Sequence, residues 1–253
     1  MIIALETYDE KIIDKIEKNE EVDGAVLGDM YCNYRMFPGG SAEIEDRMRQ
    51  LKKAGKKVYY QTSCYLTDPL FEQTVRNICY WKQQDLLDGV FLQDVGLLHR
   101  LGQLNDGLQL IWSYMGVARN RAVNLLHYQF LRTLAPVTIA VDKPSHYRIL
   151  REHGIDTMLM YGRITYATVN RLCYYTYENN LYGIDCKRAC LQGKQHMINE
   201  TFNLDMSVDG YLLGKKYIYT ESEEYPDLLY AQNYEECVVD LINYQNTDLL
   251  ACL

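Results

Sequence analysis

Residues 58–104 read VYYQTSCYLTDPLFEQTVRNICYWKQQDLLDGVFLQDVGLLHRLGQL, and two kinds of pattern alternate along them. Val58–Thr62 is a short apolar run, the form of a strand buried on both faces of a parallel sheet. Asp68-Pro69 then opens an amphipathic helix over 69–84, with proline at the first helical position, where its missing N–H is no loss. Gly89–Gln93 is a second buried strand, and 95–104 is the helix that follows it. Strand, helix, strand, helix in close succession is the unit from which parallel α/β folds are built.

The same alternation extends outward in both directions. Further strands are predicted at Ile2–Leu5, Gly24–Leu27, Leu108–Ser113, Pro136–Val141 and Thr157–Tyr161. Further helices are predicted at about 9–19, 41–54, 119–132 and 144–153. Ser41, with Glu43 and Glu45 behind it, is a helix start, because a hydroxyl cap and early acids suit the N-terminal dipole. Gly55, Gly89 and Gly154 each fall between a helix and the next strand, the usual site of a C-terminal glycine cap. No G-x-G-x-x-G or Walker-type loop follows any strand, which argues against a nucleotide-binding doubly wound sheet. The expectation is a TIM-like (β/α) barrel of about seven βα units, incomplete or irregular at its end.

After Tyr161 the rhythm changes. Residues 162–206 are rich in Tyr, Asn and Cys and show no clear period. Ser207–Tyr219 has the form of a hairpin, and 226–246 reads as one or two terminal helices. No Pro- or Ser-rich linker separates these parts. The sequence therefore predicts one domain over 1–253: a barrel core at 1–161, a cysteine-containing segment at 162–206, and a hairpin and helical cap at 207–253.

Composition narrows the function classes. The chain has 253 residues, 48% hydrophobic, with a formal net charge of -8. A chain of this length buries a large core without disulfide staples. The acidic balance argues against broad electrostatic binding of nucleic acid. The dense basic run Lys52-Lys53-Ala54-Gly55-Lys56-Lys57 sits at a helix end, where lysine complements the dipole. The N-terminus has no basic region followed by a long apolar run, and no stretch approaches the roughly 20 apolar residues of a membrane span. A cytoplasmic location is expected. There the eight Cys are expected to be metal ligands, redox groups or buried thiols rather than a disulfide framework.

Cys173, Cys186 and Cys190 form C-x12-C-x3-C in the segment without a clear period, and Cys32 follows the second predicted strand. In a βα barrel, that loop and the end of the seventh strand lie at the C-terminal face, where active sites are built. Four thiolates there would suit an iron–sulfur cluster or a structural zinc. The spacing matches neither the paired knuckles of a zinc ribbon nor the C-x3-C-x2-C of radical enzymes, which favours a cluster. Small core residues sharing a helix face would give the same close pair, although the flanks Asp185, Lys187, Arg188 and Gln192 are polar. Cys64, Cys79, Cys237 and Cys252 read as buried or incidental thiols.

These features resemble the collagenase-like peptidase U-32 family, and within it the UbiV-type proteins. Leu27–Arg35 is similar to the family's loop after an early strand, Gly89–Gly96 to its strand ending in Q-D-x-G, and Tyr161-Gly162-Arg163-Ile164 to its turn after a later strand. The cysteine gaps match as well, and the likeness spans roughly residues 2–220. The resemblance implies a barrel-like region and a 4Fe–4S cluster on Cys32, Cys173, Cys186 and Cys190. It also implies a role in oxygen-independent hydroxylation, of a small aromatic or quinone precursor or of an RNA nucleotide, and a heterodimer with a second U-32 protein. The family's alternative activity is collagenase-type proteolysis. A third reading is a cluster-bearing subunit without catalysis of its own. The Arg-Glu-Leu element of peptidase-type members is absent, with Ala140-Val141-Asp142-Lys143 in its place. Thr157 beside Asp156 stands where they carry a Glu.

Among other candidates, Asp94 ends a strand, the catalytic position of a barrel, but also precedes a helix it could cap. Arg163 could grip a carboxylate or phosphate with its planar fork, or form a structural ion pair. Arg35 stands close to Cys32. The five His are scattered without zinc spacing, and only His196 is near the cysteine segment. No G-x-S-x-G serine or Cys–His pair marks a protease. Tyr174, Tyr175, Tyr177 and Tyr182 crowd the cysteine segment, as packing groups or as a wall that keeps water from a cluster.

Overall fold

The computed structural model describes the backbone of residues 2–4, 10–28, 41–62, 66, 68–104, 107–113, 124–141, 144–162, 165–168, 195–199, 204–212, 215–220 and 237–240. Side chains are described within 13–28, 42–62, 66, 68–104, 107–113, 124–141 and 144–160.

Strands β1 (Ile2–Ala4), β2 (Gly24–Leu27), β3 (Lys57–Gln61), β4 (Gly89–Leu92), β5 (Gln109–Trp112), β6 (Thr138–Val141) and β7 (Thr157–Gly162) follow one another in the chain. Between them run α1 (Glu10–Lys18), α2 (Ser41–Lys53), α3 (Asp68–Gln83), α4 (Val95–Leu104), α5 (Leu125–Leu134) and α6 (Pro144–Glu152). The described residues thus hold six complete strand–helix units and a seventh strand. Every neighbouring pair from β1 to β7 is parallel.

The ring is closed by a strand the sequence reading assigned to a helix. Cys237–Asp240, inside the 226–246 stretch, forms β12, which pairs in parallel with β7 on one side and β1 on the other. The order β1-β12-β7-β6-β5-β4-β3-β2 is a closed barrel. Adjacent Val238 and Val239 are β-branched and favour strand conformation, and the edges of β1 and β7 supply backbone partners on both sides.

A second sheet has the order β8-β11-β10-β9, with β8 at Thr165–Thr168, β9 at Gln195–Asn199, β10 at Leu204–Leu212 and β11 at Lys215–Thr220. The antiparallel β10–β11 pair is the predicted hairpin, and its register slips between Asp209 and Leu212. Two of the four strands, β8 and β9, come from the segment read as having no period.

Two local expectations change. Helix α5 begins at Leu125, not near 119: Asn124 stands outside helical geometry and its side chain accepts from His127 N. Gly89 is not a helix cap. After α3 the positive φ falls on Asp85, at 54°, whereas Gly55 and Gly154 do carry positive φ after α2 and α6. Gly89 is the first residue of β4, where a Cβ would stand 2.8 Å from Tyr59 Cδ1 and 2.9 Å from the Gln109 carbonyl oxygen. It is glycine because the Tyr59 ring fills that space.

Alternation along the strands divides the buried residues into two sets. Val58, Tyr60, Val90, Leu92, Leu110, Trp112, Ile139, Val141 and Leu159 join helix residues such as Met48, Leu51, Ile78 and Trp81 in one apolar cluster. These form the layer between barrel and helices. Their alternates Tyr59, Gln61, Phe91, Ile111, Ser113, Thr138, Ala140, Met158 and Met160 are buried on the opposite, inner face of the strands. Tyr59 and Phe91 meet edge to face there, with ring centroids 6.0 Å apart.

Candidate functional site at the C-terminal rim of the barrel

All barrel strands run parallel, so their C-terminal ends form one rim, the face on which parallel barrels carry chemistry. The inner-face residues at the ends of adjacent strands β3, β4 and β5 are Gln61, Gln93 and Ser113. Gln61 is 2% exposed and Ser113 1%, while Gln93 is partly buried. The Gln61 Nε2 donates to the carbonyl oxygens of Thr62 (2.9 Å) and Phe91 (3.3 Å), and Thr62 Oγ1 donates to the same Phe91 oxygen. This side of the rim therefore carries neutral amides and a hydroxyl, and the Gln61 amide is spent on tying the ends of β3 and β4 together. Gln61 and Ser113 were missed in the sequence. Their signal was available: each is a polar residue on the inner parity of an otherwise apolar run.

Asp94 stands on the same rim. Its Oδ1 accepts from Leu97 N at 2.8 Å, and its carbonyl accepts from Leu98 N. It thereby caps α4, the structural role its position before the helix predicts. The glycine of the Q-D-x-G element has a steric reason: a Cβ on Gly96 would stand 3.1 Å from Asp94 Oδ1.

Cys32, Cys173, Cys186, Cys190, Arg163 and Arg35 lie outside the described residues. The elements leading to them are described: β2 ends at Leu27, before Cys32, and β7 ends at Gly162, before Arg163. His196 is part of the backbone of β9. Among the described residues, no group of three or more His, Cys, Asp or Glu is placed to hold a metal ion. Cys79 is partly buried on α3 and packs against the apolar cluster, as read from the sequence. Cys237 lies in β12, while Cys64 and Cys252 lie outside the described residues.

Two of the four lysines of the basic run, Lys52 and Lys56, are committed to the fold. Lys52 Nζ lies 3.1 Å from both Asp88 carboxylate oxygens, and Lys56 Nζ donates to the carbonyls of Asn19 and Val22 at 2.7 Å. Those contacts hold α2, β3 and the end of α1 together. Among the described residues, no helix is long and apolar enough to cross a membrane.

No family model matches the chain, and no curated protein matches it. Among solved structures it is similar to the U32 peptidase Mk0906, with a TM-score of 0.56 and 17% identity over 94% of this chain and 91% of that one. Two weaker likenesses fall below a TM-score of 0.5. One is a type I 3-dehydroquinate dehydratase from Clostridium difficile (0.43, 9% identity, 65% of this chain and 74% of that one). The other is a chitinase from Chromobacterium violaceum (0.45, 11%, 99% and 96%). The chain thus has an α/β barrel fold shared with a U32 peptidase.

Proposed function

We propose that this protein is an iron–sulfur protein of the U-32 type, acting in oxygen-independent hydroxylation or a related redox modification. The substrate would be a small aromatic or quinone precursor or an RNA nucleotide. Cys32, Cys173, Cys186 and Cys190 would hold a 4Fe–4S cluster, in the cytoplasm, with a second U-32 protein as partner. Arg163 would contact substrate from the end of β7, and Asp94 would offer the oxygen that does not cap α4.

The observation that carries this reading is the chain path around the rim. β2 and β7 end at the same rim; Cys32 follows β2 in the sequence, and Cys173, Cys186 and Cys190 follow β7 in the stretch between β8 and β9. The donor set fits the group: four thiolates are the usual ligands of a 4Fe–4S cluster. When bound, the cluster supplies one-electron redox chemistry. The neutral side chains Gln93 and Ser113 would orient a substrate beside it through hydrogen bonds.

The fold shared with a U32 peptidase makes proteolysis the second reading. The test that separates them is anaerobic purification with iron and sulfide analysis. The cluster predicts a brown protein with about four iron and four sulfide per chain, its colour lost on Cys32→Ala, Cys173→Ala, Cys186→Ala or Cys190→Ala. A colourless protein holding zinc would overturn the cluster. Gelatin cleavage that survives all four changes would establish the peptidase instead.

A further inference from the structure

We infer that Asp240, the last residue of β12, is the charged group of a binding site at the barrel mouth, one that takes a cationic N–H donor such as an amidinium or an ammonium. The strand register carries the placement. Val238 pairs with Met160 of β7, and Asp240 pairs with Gly162 of β7 on one side and Ala4 of β1 on the other. Met160 is buried and belongs to the inner set, whereas Leu159 packs in the layer between barrel and helices. Paired residues on neighbouring strands share a face, and so do residues two apart on one strand. Val238 and Asp240 therefore take inner-face positions, and Asp240 takes the one at the C-terminal rim.

Among the described strand residues of inner parity, Asp240 is the only ionisable one at this end of the barrel. Lys57 shares the parity but opens β3, at the opposite end. Asp94, on the same rim, uses its carboxylate to cap α4. The register partners Ala4 and Gly162 are the two smallest kinds of residue, so neither β1 nor β7 puts bulk beside Asp240 on that face. In the ring of eight strands β12 stands four places from β4 in either direction, which sets Asp240 across the mouth from Gln93. The mouth thus has an acidic side at β12 and a neutral side at β4 and β5, where Gln93 and Ser113 stand. A carboxylate among neutral groups selects a ligand that brings positive charge and N–H donors, because charge-assisted hydrogen bonds are about twice as strong as neutral ones. The net charge of -8 draws ligands of that sign to the protein. Since β12 closes the ring, the site is complete only with that strand in place. The inference rests on the barrel and not on the proposed cluster.

The test is calorimetric titration of the purified full chain with benzamidine, and with benzamide as its neutral counterpart, at fixed ionic strength. Saturable binding of benzamidine is expected, with benzamide about tenfold weaker or more. Asp240→Asn keeps the shape of the side chain, and any cap it makes, while removing the charge. It should weaken benzamidine about tenfold and leave benzamide unchanged. Gly162→Val fills the register position beside Asp240 and should weaken both probes. Absence of benzamidine binding, equal affinity for the two probes, or equal benzamidine affinity in folded Asp240→Asn and the parent overturns the site and leaves Asp240 a structural group at the end of β12. If Asp240→Asn does not fold, Gly162→Val decides: undiminished benzamidine binding overturns the site, and its loss in a folded protein supports it. Iron content, measured in the same samples, reports separately on the cluster.

Discussion

At the residue scale, two positions on β4 and just beyond it were read correctly as special, one for the wrong reason. Asp94 is a helix cap, so Asp94→Ala should lower stability by about 1 kcal/mol, while Asp94→Asn should lose little. Urea denaturation of both variants checks this, and a large loss of activity with unchanged stability in Asp94→Asn would reveal a catalytic carboxylate instead. Gly89 looked like a turn glycine and proves to be a packing glycine. Because a Cβ there would meet both the Tyr59 ring and the Gln109 carbonyl oxygen, Gly89→Ala should destabilise by about 1–3 kcal/mol, the range for overpacking a filled interior. Gly55→Ala has open space around its Cβ but a φ of 75°. Its cost would come from the backbone alone. The sequence shows where glycines are; whether a glycine serves conformation or space depends on what packs against it from another strand.

At the element scale, the N-terminal ends of the strands are fastened by polar contacts that no local pattern reveals. Asp88 accepts from Val58 N at 2.6 Å and pairs with Lys52, so one carboxylate binds α2 and β3 to the start of β4. Lys52 and Asp88 are 23% and 32% exposed. Lys52→Met should therefore cost at most about 1 kcal/mol, as partly exposed ion pairs do. Asp88→Ala should cost more, about 1–3 kcal/mol, because it strands a backbone donor as well as the lysine. Thermal unfolding of the two variants side by side tests the order. A similar chain links Tyr59 Oη to Gln109, Gln109 to Thr138, and Thr138 to Asp156 before β7. Its members lie on β3, β5, β6 and the turn after α6, and only the barrel brings them together.

At the scale of the whole molecule, β12 decides the architecture. It gives β1 and β7 their missing parallel partners, turning an open seven-stranded sheet into a ring. A chain truncated before Cys237 should leave those two strands with unpaired edges. Hydrogen exchange should then show lost protection at Ile2–Ala4 and Thr157–Gly162 while β3–β5 stay protected. Equal protection in the truncated and full chains would mean that the ring closes without β12.

The sequence by itself determined the alternation of strand and helix, because burial on both faces writes continuous apolar runs and burial on one side writes a helical period. Six helices and seven strands were legible for that reason, with boundaries within a few residues except at the start of α5, where Asn124 ends the pattern chemically rather than by period. It also placed the Asp94 cap, whose signal is local. Only the tertiary structure decided that Cys237–Asp240 is a strand, since it lies in a stretch that also reads as helix and its conformation is fixed by pairing with β1 and β7, both distant in the chain. β8 and β9 were invisible because neither is a continuous apolar run, and their partners are β11 and β10, further along the chain. Tertiary structure likewise placed Gln61, Gln93, Ser113 and Asp240 on one rim, because which face of a strand looks inward is set only when the ring closes.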